Sequence, residues 1–316
     1  MNLPEDKDIL RGDIRSIARA IRAVEDGWPG SRALLTRLSP HAGRALTLGI
    51  TGPPGAGKST LVDRLTTHFR KEGKTVGIVA VDPTSPFSGG AILGDRIRMQ
   101  NHATDDGVFI RSMATRGALG GLTATTSAAL LVLDASSKDI LIVETVGVGQ
   151  DEVDIASEAD IAIVVLVPGL GDEVQALKAG IMEIADLFVV NKADRDGADR
   201  LASEIEMMLS LTGETKVDRP PVVRTVASAS QGIDELAKTI EEVRVRREQS
   251  GQCAARRRER LLRQFEAQVE GLLREKVRRR IDALDSSLRL RERVQTRQID
   301  PYSAADETLK GIEEKA

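Results

Sequence analysis

The sequence predicts an α/β fold built on a mostly parallel, doubly wound sheet. Short apolar runs of β type recur through the middle of the chain, and helical segments separate most of them. Strands that read as continuous apolar runs are buried on both faces, which is typical of a parallel sheet covered by helices. The predicted strands span residues 45–50, 75–81, 108–110, 140–143, 161–167, 187–190 and 222–226.

Helical patterns flank the predicted sheet on both sides. Apolar residues recur every three or four positions over residues 8–25, which predicts one amphipathic helix, and a second is predicted over residues 31–38. Residues 249–254 read as a linker before an arginine-rich helix from 255 to about 284. The pair Asp300-Pro301 has the residue types of an N-cap and a first-turn proline. The predicted domains are an N-terminal helical extension (1–44), a sheet domain (45–248) and a C-terminal helical arm (249–316).

The arginine-rich helix also carries an apolar stripe. The stripe can pack on the rest of the same chain, or it can pair with a second copy in a homodimer. Arginine enrichment alone suggests nucleic acid, but acidic residues are interspersed and the formal net charge of the chain is −3. We therefore expect no nucleic-acid partner. The positions of the stripe are Leu262, Phe265, Val269, Leu273, Val277, Ile281 and Leu284.

A phosphate-binding motif follows the first predicted strand. Residues 52–59 fit the P-loop pattern G-x-x-x-x-G-K-[ST], and a helix is predicted immediately after them, over residues 60–70. Backbone N–H groups at such a turn and the helix dipole both favour an anion. Lys58 is expected to reach the β- and γ-phosphates, and the Ser59 hydroxyl to bind Mg²⁺. The predicted nucleotide contacts here are Gly52, Pro53, Pro54, Gly55, Ala56, Gly57, Lys58, Ser59 and Thr60.

A second motif predicts the base. Asn191, Lys192 and Asp194 form an N-K-x-D pattern after the apolar run 187–190. The Asp194 carboxylate can accept from N1–H and the 2-amine of guanine, whereas adenine would leave it unpaired at a high cost. Asn191 is expected to bond N7 and the Lys192 stem to cover the purine. The backbone at Val226 and Ala227 is expected to close over guanine O6. The sequence therefore predicts GTP and GDP rather than ATP.

Carboxylates at strand ends predict the metal side of the site. Asp82 and Glu144 each end a predicted strand and are expected to hold Mg²⁺, with Asp95 as a third candidate. Glu144 opens a segment with D-x-x-G spacing, in which the Gly147 amide can bond the γ-phosphate. Val148 follows, so a glutamine that positions water is absent from that place. We expect slow intrinsic hydrolysis that a partner accelerates.

Composition bounds the remaining possibilities. Cys253 is the only cysteine, so a disulfide within the chain is impossible and a reducing compartment fits. The acidic first eight residues lack a secretory or transit pattern, and no apolar run approaches the ~18 residues that span a bilayer. We expect a cytoplasmic protein without a membrane partner.

Several segments resemble the methylmalonyl-CoA mutase-associated GTPases, the MeaB/ArgK family, over nearly the whole chain. Besides the P-loop, residues 143–150 (VETVGVGQ) are the most specific to that family. Residues 168–178 (PGLGDEVQALK) resemble its additional switch loop. The other similar segments are residues 81–85, 89–96, 109–117 and 301–306.

The resemblance implies a specific activity. Members of this family belong to the signal-recognition-like class of P-loop GTPases, form homodimers and bind an adenosylcobalamin-dependent acyl-CoA mutase. They use GTP hydrolysis as chaperones, gating the loading of intact cofactor and protecting the mutase from damaged cofactor. In that scheme Gln175 and Lys178 lie on the additional switch, which couples the nucleotide to the partner, and Lys178 is expected to be a catalytic residue. Methylmalonyl-CoA mutase is the expected partner.

Four other functions stay open. A nickel-delivery GTPase would need clustered ligands, but Cys253, His41, His68 and His102 are widely spaced. A secretion-targeting GTPase would need a methionine-rich module, and the six methionines form no cluster. An ATPase or kinase linked to amino-acid transport conflicts with the N-K-x-D motif. A nucleotide-bound adaptor without turnover is the fourth function.

Overall fold

The computed structural model describes residues 2–82, 102, 104–114, 121–145, 158–169, 184–211 and 219–313. At residues 82, 114, 121–123, 284–288 and 312–313 it describes the backbone alone. The chain divides into two compact units, Met1–Arg260 and Leu261–Ala316.

The described strands of the larger unit form one seven-stranded sheet in the order β3-β2-β4-β1-β5-β6-β7. Every pair of neighbouring strands is parallel, which confirms the predicted sheet. The strands begin and end within a few residues of the predicted bounds. They are β1 (Leu46–Thr51), β2 (Val76–Asp82), β3 (Val108–Ala114), β4 (Ile140–Thr145), β5 (Ile161–Leu166), β6 (Leu187–Asn191) and β7 (Val222–Thr225).

Alternate residues of each strand point to opposite sides of the sheet, so both faces carry apolar side chains. Helices cover both faces. On one face, α4 (Lys58–Lys71) and α7 (Ile233–Gln249) pack on side chains such as Ile163 and Val165. On the other, α6 (Ala198–Leu211) packs on Val164 and its neighbours, and the N-terminal helices pack with α5 (Gly121–Ala135) over β2 and β4. The fold is therefore doubly wound.

The N-terminal segment differs from its prediction. The single helix predicted over residues 8–25 is wrong, because the chain forms α1 (Asp6–Leu10) and α2 (Ile14–Glu25). Gly12 has a φ of +84° and interrupts the helix. The Asp13 side chain then caps α2 by accepting from the Ser16 amide at 2.7 Å. The predicted second helix is confirmed as α3 (Ser31–Leu38).

The predicted six-residue linker before the arginine-rich helix is also wrong. Only Ser250 and Gly251 separate α7 from α8 (Gln252–Leu288), which is longer than predicted at both ends. In the smaller unit, α9 (Leu290–Gln295) and α10 (Pro301–Glu313) follow. The Asp300 carboxylate accepts from the amides of Tyr302 (3.0 Å) and Ser303 (2.9 Å), which confirms the predicted N-cap.

Two buried aspartates hold the start of α8 in the larger unit. Asp160 precedes β5 and accepts from the Thr47 amide at 3.0 Å, and Asp186 precedes β6 and accepts from the Ala162 amide at 2.8 Å. Arg257 donates to both oxygens of Asp160, at 3.0 and 2.8 Å. We call the whole group the aspartate–arginine clamp. Its members are Asp160, Asp186, Arg247, Arg256, Arg257 and Arg260.

Within the described ranges, no helix combines the length and apolar character that a bilayer crossing requires.

Candidate nucleotide-binding site

The predicted phosphate site lies at the carboxyl ends of adjacent strands. β1 ends at Thr51, α4 begins at Lys58, and β4 runs beside β1 with Ile50 opposite Glu144. The chain leaves β1 and β4 toward opposite edges of the sheet, which is where parallel α/β sheets bind ligands. A cavity of about 460 Å³ opens there. Its lining is Pro54, Gly55, Gly57, Lys58, Ser59, Thr60, Ala80, Glu144, Thr145 and Lys192.

Two glycines of the loop are required by close approaches of the backbone. A Cβ on Gly52 would lie 2.1 Å from the Val165 carbonyl oxygen, and Gly52 has a φ of +138°. A Cβ on Gly57 would lie 2.5 Å from Nδ2 of Asn191, and φ is +87° there. Only glycine avoids both the clash and the backbone strain. The fixed glycines of the motif thus let β5 and the N-K-x-D segment approach the loop.

The lysine of the motif is held over its own loop. Lys58 is 5% exposed, and its Nζ donates to the carbonyls of Gly52 (2.6 Å) and Pro53 (2.9 Å). These bonds hold the positive charge of Lys58 at the P-loop. The N-terminus of α4, which follows the loop, also favours anions. The arrangement fits the predicted role of Lys58 toward nucleotide phosphates.

Two oxygen groups meet at the predicted metal side. The Ser59 hydroxyl donates to Oε1 of Glu144 at 2.5 Å, and Glu144 is 5% exposed. β2 pairs with β4 through Ala80 and Glu144, so the backbone of Asp82 ends the neighbouring strand. Hydroxyl and carboxylate oxygens are the ligands that Mg²⁺ prefers, so the residues present fit this ion.

A threonine pair at the same edge was not predicted. The Thr145 hydroxyl donates to that of Thr51 at 3.1 Å, and both side chains are buried. The bond joins the last residues of β4 and β1, next to Glu144 in β4 and directly before Gly52 of the P-loop. Neither threonine belongs to the fixed positions of a motif, so no sequence signal marked them.

Asn191 joins three segments of the site. Its Nδ2 donates to the Ala56 carbonyl at 2.8 Å, within the P-loop. Its Oδ1 accepts from the Thr225 hydroxyl at 3.0 Å and from the Ala227 amide at 3.1 Å. The side chain therefore links the phosphate loop to the segment expected to contact the base. The expected bond to N7 stays a prediction.

The other residues of the base site lie around this centre. Lys192 has a φ of +56°, and its Nζ donates to the Gly55 carbonyl at 2.7 Å, so its stem runs beside the P-loop. Asp194 is exposed in the turn that follows. Val226 pairs with Gln231 in a two-way backbone bridge, which closes the loop that begins at Ala227.

Some predicted site residues cannot be placed. Asp95, Gly147 and Lys178 lie outside the described residues, as does Gln175, and only the backbone of Asp82 is described.

The histidines have other partners. His68 Nδ1 lies 2.8 Å from Oδ1 of Asp234, and His102 Nε2 lies 3.3 Å from Oδ1 of Asp63. In the part of the chain that the structure describes, no three His, Cys, Asp or Glu side chains converge as a metal site would need.

Comparison with known proteins identifies the family. Residues 17–282 match the model of the methylmalonyl-CoA mutase-associated GTPase MeaB. A candidate GTPase of Pyrococcus abyssi is 52% identical over 96% of this chain and 94% of its own length. The GTPase ArgK of Escherichia coli is 39% identical over 73% of this chain and 72% of its own length.

Two further comparisons extend this result. The mouse mitochondrial protein named methylmalonic aciduria type A homolog is 36% identical over 79% of this chain and 64% of its own length. The crystal structure of a LAO/AO transport system kinase superposes with a TM-score of 0.72 at 26% identity, over 98% of this chain and 96% of that one. The chain is therefore a P-loop GTPase and belongs to the MeaB family.

Proposed function

We propose that this GTPase is a chaperone that gates adenosylcobalamin loading and protection of a cobalamin-dependent acyl-CoA mutase in the cytoplasm. Methylmalonyl-CoA mutase is the proposed partner. The description of the matching family names this mutase, and the mouse relative is named for methylmalonic aciduria. Both observations support the partner, and the geometry of the site supports a nucleotide-controlled contact.

The contact between β5 and the P-loop carries the proposal. β5 pairs with β1 through Thr51 and Val164, and the next residue, Val165, packs against Gly52. β5 leads through Pro168 to Gly169, which has a φ of +95°, and residues 170–178 come next in the sequence. A segment that follows a strand in contact with the P-loop can change its position when the γ-phosphate is lost. A mutase bound to that segment would respond to the nucleotide.

Each site residue has a proposed role in this scheme. Lys58 neutralises the β- and γ-phosphates, and the amide of Gly147 bonds the γ-phosphate. Asn191, Lys192, Asp194, Val226 and Ala227 hold guanine. Mg²⁺, once bound, neutralises charge on the phosphate oxygens. Its proposed ligands are Ser59, Asp82, Asp95 and Glu144.

We also propose that the chain is a homodimer through the stripe on α8. Leu262, Phe265 and Leu273 are 62%, 64% and 56% exposed. Exposed apolar side chains repeated along one helix face are typical of a protein–protein contact. A two-fold pairing would bury each stripe against its copy.

The experiment is GTP turnover with saturating mutase. The purified full chain is assayed alone and with methylmalonyl-CoA mutase, beside Lys178→Ala and Lys58→Ala. We expect the mutase to stimulate wild type, Lys178→Ala to bind nucleotide normally but lose most of the stimulation, and Lys58→Ala to be inactive throughout. No stimulation of wild type would reject the mutase and favour the adaptor. Preference for ATP would favour the transport-linked kinase.

A further inference from the structure

A second cavity lies at the opposite edge of the sheet from the nucleotide site. It has a volume of about 300 Å³ and lies beside the amino ends of β6 and β7. The residues before both strands, Asp186 and Pro220-Pro221, form part of its wall. Four arginines are among its lining residues, Arg219, Arg246, Arg247 and Arg256.

The single carboxylate in the lining already has partners within the protein. Asp186 is paired with Arg247 and with Arg256. Its Oδ2 also accepts from the Ala162 amide at 2.8 Å. Three N–H groups donate to Oδ2, those of Ala162, Arg247 and Arg256, and Arg247 also donates to Oδ1. Two arginines thus share one negative charge, and both line the cavity.

Arg256 presents a donor edge that the described contacts do not use. Its Nη1 group donates both of its hydrogen bonds, to Asp186 and to the Asp160 carbonyl at 3.2 Å. A guanidinium has five N–H donors, and the Nε and Nη2 groups form a fork that matches two oxygens of an oxyanion. Among the described residues, neither group of this fork has a hydrogen-bond acceptor, and the side chain lines the cavity.

We propose that this cavity binds a phosphate group. A tetrahedral dianion can place two oxygens on the Nε–Nη2 fork of Arg256 and brings two negative charges to an arginine-rich lining, whereas a second carboxylate brings one charge. The cavity volume is at the lower end of small-molecule sites, about 300–1,000 Å³, which suits a single small group. The ligand is inorganic phosphate or the terminal phosphate of a small phosphomonoester.

The test must keep phosphate out of the P-loop. The full chain is therefore saturated with a non-hydrolysable GTP analogue and Mg²⁺, so that the γ-phosphate position is filled, and titrated calorimetrically with inorganic phosphate and, separately, with glycerol 3-phosphate, at constant ionic strength. We expect saturable binding. Removing one charge-assisted hydrogen bond costs about 1.5–3 kcal/mol, so Arg256→Gln should weaken phosphate binding about tenfold or more.

Two further variants keep the test decisive. Arg219→Gln leaves both partners of Asp186 in place and should also weaken binding, so it serves if Arg256→Gln fails to fold. Arg258→Gln, on an exposed position two residues from Arg256, should bind phosphate as wild type does. GDP affinity, measured on each variant, reports an intact nucleotide site.

Absence of saturable phosphate binding to wild type, or equal phosphate affinity in all variants, would overturn the proposed site. Tighter binding of glycerol 3-phosphate than of phosphate would identify a phosphomonoester ligand.

Discussion

Gly52 lies directly against the backbone of Val165, so that a Cβ on this glycine would be 2.1 Å from the Val165 carbonyl oxygen. The first glycine of the P-loop and the end of β5 are therefore in contact through backbone atoms. A side chain at residue 52 cannot be accommodated unless one of the two strands moves.

Gly52→Ala should destabilise the protein and abolish GDP binding. Another P-loop glycine, Gly55, has a φ of +80°, but no atom of the described, non-adjacent residues lies within 4 Å of a Cβ there, so its substitution tests backbone strain without a clash. Gly55→Ala should cost only the left-handed backbone penalty of about 1–2 kcal/mol. Thermal unfolding and GDP titration check both variants. Equal stability of the two alanine variants would show that Val165 yields easily.

Asp194→Asn should change the base preference of the site from guanine to xanthine. The asparagine would still accept from N1–H, but its amide would face the guanine 2-amine, whereas it can donate to the 2-oxygen of xanthine. We expect GDP binding to weaken about tenfold or more, because an unmade buried hydrogen bond costs about 1–3 kcal/mol. Asp196→Asn, exposed in the same turn, is the control. Unchanged GDP affinity of Asp194→Asn would refute the assignment of the base.

Asn191→Ala should damage stability and nucleotide binding together. The change leaves the Thr225 hydroxyl, the Ala227 amide and the Ala56 carbonyl without the partner they have now. We expect a loss of about 2–4 kcal/mol, whereas Thr225→Val removes one of these bonds and should cost about 1 kcal/mol. Urea unfolding gives both values. Similar losses in the two variants would mean that Asn191 does not join the segments as described.

Arg257→Gln should make the protein more sensitive to acid. Burial would raise the pKa of Asp160, but the hydrogen bonds and charges of Arg257, with the charge of Arg260, bring that pKa below its ordinary value. Because the folded pKa is the lower one, the carboxylate stabilises the fold above the ordinary aspartate pKa of 3.8. This contribution is lost as the pH falls through the folded value.

The variant should therefore lose about 3 kcal/mol near neutral pH, the lower end of the cost of breaking a buried ion pair, since Arg260 stays. Its acid-unfolding midpoint, followed by circular dichroism, should move to higher pH. Arg258→Gln is exposed and should unfold as wild type does. Identical midpoints for both variants would contradict the role of Arg257.

Substitution of the α8 stripe should give a monomer. The double variant Leu262→Ser, Phe265→Ser removes two side chains that are 62% and 64% exposed in the single chain, so the fold of the chain should be preserved. Met207→Ser is the control, because Met207 is 66% exposed on α6 and lies outside the stripe. Light scattering measures the mass. A dimer that survives the double variant would place the contact elsewhere.

The sheet was predictable because its strands are continuous apolar runs between helices. The N-terminal helix break was not, because apolar spacing continues through Gly12 and hides the point where the chain turns. The short connection before α8 was missed for the opposite reason. Its polar residues read as a linker, but all except Ser250 and Gly251 belong to helices.

The motifs located the site, but they could not give its internal contacts. Asn191 was predicted as a base ligand, and its bonds to Ala56 and Ala227 cross 135 and 36 residues of sequence. Likewise, the arginines of α8 repeat so often that nothing in the sequence singles out Arg257 as the partner of Asp160, 97 residues away. Such pairs depend on tertiary packing, which local patterns do not encode.

The clamp determines where this protein can be cut and joined to another. Truncation after Ser250 would remove Arg257 and Arg260 and leave the buried Asp160 without its guanidinium partners. A chimaera that exchanges C-terminal arms between relatives should therefore be joined after Arg260. The first turns of α8 then come from the same protein as the GTPase domain and not from the protein that supplies the arm. A chimaera joined at residue 249 would pair the aspartates of one protein with the α8 arginines of the other.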